Sequence, residues 1–316
     1  MAGLTGLNDW SGADAFRGEF EAMKSAKPAF DIARGIERFA PEVHLHPDDS
    51  YRPASVDWYL DRTRLRLHRR LRRDLHALER GEVTRETLPL PGVAGQNASG
   101  SACSDFFLQI PNDGAEVGVR GGALRSSECY VHVRPVLGDD AFFDIQYWIF
   151  YAYNGAADRH IAHEGDWEHI TVRVTNDAHP AVNRIYFGAH SPGDGGWRTA
   201  SGVASGVSGN GEVIGGFDWS SGGRPAVFSA NGSHASYPSS GDNARRWPKA
   251  VDRTRRGGPV WDTSTSLKLV ALSGRPTEGN EWLTYSGRWG EIGLWWWKWA
   301  GHGPFGPAFQ RSWYVE

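Results

Sequence analysis

The chain has 316 residues, of which 40% are hydrophobic and 22% charged, and its formal net charge is -3. That balance excludes the broadly basic surface on which sequence-independent nucleic-acid binding depends, so no nucleic-acid partner is expected. No apolar run reaches the roughly 18 residues of a membrane span, and the N-terminal stretch lacks a secretory pattern, which makes the cytoplasm the expected compartment. The 40 Gly, 17 Pro and 15 Trp favour turns and short strands over helices.

With no fixed-period repeat, coiled coil or compositional linker, residues 31–316 read as one β domain behind an N-terminal extension, 1–30. The run HLHPDDSYRP places His44, His46, Asp48 and Asp49 ahead of a turn. A second metal is one reading; Asp49 anchoring the turn through side-chain to backbone bonds is the preferred one. In 57–80, Leu60, Leu67, Leu71, Leu75 and Leu78 trace one helical face, which predicts a helix. Eight arginines between Arg62 and Arg80 then occupy its solvated faces, or meet an anionic surface. Cys103 and Cys129 lack CxxC spacing and are expected as two buried thiols, bridged only in an exported protein.

From Asp144 the pattern turns to strands: DIQYWIFYAYN, the alternating HITVRV, then 184–189, 225–230 and 268–272. Between them, 191–223 is dense in Gly and Ser and reads mostly as a long surface loop. Near the C-terminus, LWWWKW sets Trp295, Trp297 and Trp299 on one strand face and Leu294, Trp296 and Lys298 on the other, with most of these aromatics expected in the core.

The segment 162–169, AHEGDWEH, carries the chemistry. On a strand, Asp166 and Glu168 share a face with Ile170, Val172 and Val174, while Trp167, His169, Thr171 and Arg173 point the other way. Two carboxylates at the end of a core-facing row are unfavourable unless a cation or strong donors compensate. A bound metal supplies that compensation in one reading; pairing with Arg134, Arg159 or Arg173 supplies it in the other. Gly165 permits a bend that folds His163 back toward the carboxylates and completes an HxxDxE set. Such a largely hard donor set ranks Mg²⁺ or Ca²⁺ first and Mn²⁺ or Zn²⁺ behind. His190 in GAHSPG and His234 in GSHASYP follow strand-like runs and are candidates for general base, fourth ligand or substrate donor.

Several ordered motifs resemble the Vps62 family, which also includes plant proteins of unknown function: FAPEVHLHPDDSYRPASVDWYL, YVHVRPVLGDDAFFDIQYWIFYAYNG, HEGDWEHITVRV, FGAHSPG, RPAVFSANGSHASYPSSG, YSGRWG and GPFGPAFQRSW. Over a shorter stretch, HEGDWE is similar to the GHRHDWE motif of necrosis-inducing NLP cytolysins, which implies a β-sandwich with a divalent cation. Residue by residue, that resemblance implies His163, Asp166 and Glu168 as ligands, with Asn154 at the place of a further cytolysin carboxylate. Here the amide removes one charge, and Gly165 replaces a histidine of the cytolysin motif.

The sequence therefore predicts a mostly β, two-sheet β-sandwich (jelly-roll-like) with long loops and a helix near 57–80. The leading functional expectation is a divalent-metal-dependent enzyme acting on a small or medium polar substrate by hydrolysis, elimination or cyclisation. His163, Asp166 and Glu168, with Asn154, hold the ion, and His190 or His234 moves the proton. The alternative is a cation-dependent module for lipid or glycan head groups, of which a cytolysin-like activity is one form.

Overall fold

The run FFDIQYWIFYAY is apolar at nearly every position, and a strand of that composition has to be covered on both faces. A computed structural model shows how this is done, describing residues 27–68, 75–89, 106–155, 162–190, 195–199, 217–245, 250–292 and 302–314. In chain order its main elements are α1 (Ile32–Arg38), β1 (Glu42–His44), α2 (Val56–Leu60), β2 (Arg64–Leu67), β3 (Leu75–Leu78), β4 (Phe106–Gln109) and α3 (Glu116–Arg120). There follow β5 (Cys129–Val136), β6 (Asp139–Asn154), β7 (His163–Thr175), β8 (Val182–Phe187), β9 (Gly196–Thr199), β10 (Ala226–Ser229) and β11 (Ser236–Tyr237). The last are β12 (Gly241–Ala244), β13 (Val251–Thr254), β14 (Val260–Asp262), β15 (Leu267–Leu272) and β16 (Arg275–Pro276).

The central sheet runs β16-β15-β5-β6-β7-β8-β9, with an antiparallel meander from β5 to β9. One face carries Tyr147, Ile149, Tyr151, Ile170, Val172 and Val174, which pack with Val43, Val227 and Trp261 of the sheet β11-β10-β1-β14. This is the expected sandwich. The other face carries Trp148, Phe150 and Trp167, covered by Leu65 and Leu108 of the sheet β3-β2-β4 and by Trp282, Trp289 and Trp313. Alternation along β7 therefore sorts its side chains as the sequence predicts.

The helix expected over 57–80 is corrected by the structure. Ser55 caps α2 by accepting from Trp58 N at 3.2 Å, but the helix ends at Leu60, whose carbonyl accepts from Thr63 Oγ1 at 3.2 Å. Beyond it, β2 and β3 pair antiparallel, and β2 also pairs with β4 through Leu65 and Leu108. The local alternation Arg-Leu-Arg-Leu, with Leu65 fully buried, prevails over the wider leucine spacing because an apolar partner strand is available. Among the described arginines of this stretch, Arg64 pairs with Glu79 at 3.0 Å, and Arg66 donates to Gln109 Oε1 at 2.7 Å.

The long loop expected over 191–223 contains strand β9, whose Trp197 is stacked upon by Arg173 and Arg184. Cys129 is a free buried thiol, its pKa pushed up by burial. Cys103, Arg159 and the LWWWKW tryptophans lie outside the described residues.

Burial on both faces forces polar side chains of the sheet into pairs. Asp144 receives Arg173 at 2.7 and 2.9 Å and Arg134 at 3.0 Å. His132 is sealed in, with Nδ1 3.0 Å from Gln146 Oε1 and Nε2 accepting from Gly274 N at 2.9 Å. Burial, and then Arg134, lower its pKa to about 3. The folded value lies below the unfolded one of about 6.5, so the unfolded chain takes up the proton first, and this contribution to stability is complete above pH 6.5 and is lost as pH falls toward 3. In urea melts from about pH 7 to 4, His132→Gln, which keeps one donor and one acceptor, is expected to lose stability less steeply than wild type; parallel slopes contradict the assignment.

Candidate functional site

At one end of the central sheet, six chain segments converge. The turn after β1 contributes Asp49, the paired ends of β6 and β7 contribute Asn154, Asp166 and Glu168, and the exit of β8 contributes His190. The β10–β11 turn brings His234, and β13 brings Asp252.

His234 forms the centre. It is fully buried and stacks on the Tyr151 ring at 3.8 Å. Nδ1 is 2.8 Å from Asp166 Oδ2, while Nε2 approaches Asp49 Oδ2 at 3.5 Å without forming a well-made hydrogen bond. Its φ of 58° is left-handed, a conformation that costs a non-glycine residue roughly 1–2 kcal/mol. The turn that fixes it is tight: His234 N donates to Ala230 O at 3.0 Å, and Ala230 N to Ala235 O at 3.1 Å. Strain of this kind persists where surrounding contacts over-determine it. Asp49 anchors its own turn by accepting from Tyr51 N at 2.9 Å, as the sequence suggests, and also holds the β10–β11 turn by accepting from Gly232 N at 2.9 Å.

Asn154 Nδ2 donates to Asp166 Oδ2 at 3.2 Å and to Ser233 O at 3.3 Å. Ser233 Oγ in turn donates to Asp252 Oδ1 at 2.9 Å, which joins His234's surroundings to those of His190. His190 Nε2 lies 2.7 Å from Asp252 Oδ2, Tyr237 OH donates to the same oxygen at 2.8 Å, and Arg245 pairs with Oδ1. Burial raises the Asp252 pKa, but the bonds from His190 and Arg245 outweigh it and hold the carboxyl well below the usual carboxylate range.

Glu168 is the opposite case. Burial, then Asp166 and Asp252, push its carboxyl well above the usual range, with Arg245 opposing them. It also lines a cavity of about 200 Å³ together with Trp167, His169, Tyr186, His190 and Gln310. A larger groove of about 640 Å³, beside α1 and residues 178–180, contains none of the clustered groups.

The structure thus gathers Asp166, Glu168, Asn154 and His234, and connects His190 to them. His163 Nδ1 is 2.7 Å from Gly165 O, which leaves Nε2 for an ion. Gly165 sits at φ 66° with Trp289 O where a Cβ would stand, and Glu164 accepts from Ile110 N at 2.9 Å. Burial pushes Glu164 up to about 7. Of the arginines expected as alternative partners, Arg134 and Arg173 are engaged by Asp144, and Arg159 lies outside the described residues.

Among the described residues, no three His, Cys, Asp or Glu side chains form a ready-made ion cage. Two carboxylates with hard oxygen donors suit a cation that keeps much of its water, which is how Mg²⁺ is commonly held, and do not suit the closed Cys/His geometry of structural zinc. The sequence missed Asp252, Arg245, Tyr237 and Ser233. Ser233 and Tyr237 fall within the GSHASYP run, but no spacing rule marks Asp252.

Fold and site together define a mostly β, sandwich-like protein with a carboxylate–imidazole cluster at one sheet end. Residues 17–293 match the family described as Vacuolar protein sorting-associated protein 62, and the chain belongs to this Vps62 family. Vacuolar protein sorting-associated protein 62 of Saccharomyces cerevisiae is 26% identical over 344 residues, covering 92% of this chain and 68% of that protein. The yeast protein TDA6, provisionally described as vacuolar protein sorting-associated, is 31% identical over 178 residues, covering 47% of this chain and 36% of its own length. Among solved structures, NLPPya in complex with mannosamine has a TM-score of 0.33 at 13% identity, covering 82% of this chain and 84% of that one. NLPPya with glucosamine has a TM-score of 0.34 at 12% identity, covering 82% and 83%. Likeness this loose transfers no ligand.

Removing the His234 imidazole strips Asp166 of a 2.8 Å partner inside a closed space, whereas His190 stands at the rim. His234→Ala is therefore expected to cost about 2–3 kcal/mol in urea unfolding and His190→Ala about 1 kcal/mol or less. Equal losses would contradict the central position of His234.

Proposed function

We propose that this end of the sheet binds a small or medium polar ligand with the help of a divalent cation held at Asp166 and Glu168. The observation that carries the reading is a charge imbalance. Asp49 and Asp166 flank His234, Glu168 lies close enough to Asp166 to feel its charge, and among the described residues no Arg or Lys forms an ion pair with any of the three carboxylates. Arg245, whose charge reaches Glu168, is engaged by Asp252. Clustered carboxylates in a desolvated space are relieved by a bound cation or by retaining a proton.

Mg²⁺ ranks first and Ca²⁺ next, with His163 Nε2 the further donor within the HxxDxE segment and Asn154 steadying Asp166. Such an ion supplies positive charge for an electron-rich oxygen of the ligand. The protein's own groups supply the rest: Trp167 and Tyr186 form aromatic walls, Gln310 is a hydrogen-bonding group, and His190 stands at the rim. A lipid or glycan head group meets this description, as does a soluble polar substrate. For the enzymatic form, a side chain must touch the ligand. His234 is sealed away, which makes it a positioning residue, while His190 lines the cavity.

The test is thermal melting and elemental analysis after chelation, across Mg²⁺, Ca²⁺, Mn²⁺ and Zn²⁺, joined to liposome and glycan binding with and without EDTA. An ion bound only by the native state adds about 2.7 kcal/mol at a hundredfold excess over Kd. Asp166→Asn and Glu168→Gln are expected to reduce that gain. In the metal-free protein Glu168 is raised above its unfolded pKa of about 4.3, so its stabilising contribution is present below that pH and is lost as pH rises. Metal-free Glu168→Gln should therefore match or exceed wild type at pH 8, and Mg²⁺ should reverse the order. No bound metal and no shift with any of the four ions overturns the reading.

A further inference from the structure

Asp252 is more heavily engaged than a surface loop requires. Four donors fill its two oxygens: Ser233 Oγ at 2.9 Å and Arg245 on Oδ1, and His190 Nε2 at 2.7 Å and Tyr237 OH at 2.8 Å on Oδ2. Three of the four, Ser233, Tyr237 and Arg245, are themselves buried and hold the carboxylate in place. The fourth, His190, has a side chain 21% exposed and lines the cavity of about 200 Å³. An ionised carboxylate only accepts, so the proton of neutral His190 belongs on Nε2, and Nδ1 carries the lone pair.

We propose that His190 is a general base, oriented by Asp252, for a hydroxyl group or water held in this cavity. Asp252 is the positioning residue, since it acts only through the imidazole. In the step, the O–H bond breaks and an Nδ1–H bond forms, the resulting imidazolium pairs with Asp252, and the electron pair stays on oxygen, which becomes the nucleophile. With an ester as acceptor, the new O–C bond forms as the alkoxide leaving group departs, and the proton passes from His190 to that group or to solvent. No oxidant or reductant is required. The inference rests on the cavity being the ligand site, but not on the cation.

Three measurements test it. Long-range ¹H–¹⁵N correlation spectra should show His190 as the Nε2-protonated tautomer, and the Nδ1-protonated form overturns the proposal. Carbethoxylation mapped by mass spectrometry should modify His190 faster than exposed His179 in wild type, and Asp252→Asn should remove that advantage. Where Asp252→Asn fails to fold, Tyr237→Phe, which removes one donor from the same oxygen, should change the His190 rate. Turnover is read with p-nitrophenyl acetate, a neutral ester small enough for the cavity, on chelated and Mg²⁺-loaded protein. Wild type should exceed His190→Ala and His190→Gln by about tenfold or more. Equal turnover, or equal carbethoxylation of His190 and His179, reduces the Asp252 network to a loop anchor. A His190-dependent rate that ignores Mg²⁺ supports the base and counts against the cation, so the two readings fail separately.

Discussion

A sheet covered on both faces has no water to offer the polar side chains placed on it, and the interior of this protein is arranged around that constraint. β6 and β7 lie between two apolar layers, one built on Val43, Val227 and Trp261 and the other on Trp282, Trp289 and Trp313. Each polar residue on them must be satisfied by protein, because an unpaired buried group costs about as much as several good contacts return. Hence the paired His132 and Gln146, and the guanidinium pair on Asp144. Paired in this way, such groups fix register and face, because slipping β6 against β7 by one residue sends every one of them into an apolar layer.

The same rule separates structural polar clusters from the site. Around Asp144, one carboxylate faces two guanidiniums, Arg173 through a bidentate pair of hydrogen bonds and Arg134 through a single ion-pair contact. At the end of β7 the ratio is reversed: Asp49 and Asp166 share one imidazole, Glu168 stands near Asp166, and that imidazole is held in a left-handed backbone.

How much of this was legible in the sequence depended on whether the deciding contact was local. Alternation within HEGDWEHITVRV correctly separates Asp166 and Glu168 from Trp167 and His169, because side-chain direction along a strand is set by the backbone itself. The leucine spacing over 57–80 misleads for the complementary reason: Leu65 is claimed by β4, some forty residues later in the sequence, and a pairing partner outweighs propensity. His163 shows the limit of reasoning from spacing. A flexible Gly165 permits several directions, and the one adopted gives Nδ1 to a carbonyl two residues away. Asp252 was invisible because its four donors come from three other segments, and only the folded chain brings them to one carboxylate.

The way these segments meet also accounts for the difference between the two histidines. His234 lies in a turn squeezed between the Tyr151 ring and the Asp49 turn, so both of its nitrogens face carboxylates and the ring is closed to solvent. His190 follows β8 past the point where that strand stops pairing with β7, so the sheet edge opens beside it and the cavity forms there. Only one of its nitrogens is taken up by the cluster. The termination of β8 at Phe187 thus leaves His190, one imidazole of this network, among the residues that line the cavity. A longer β8 would extend the sheet over Glu168 and close the site, which ties the length of one strand to the accessibility of the chemistry.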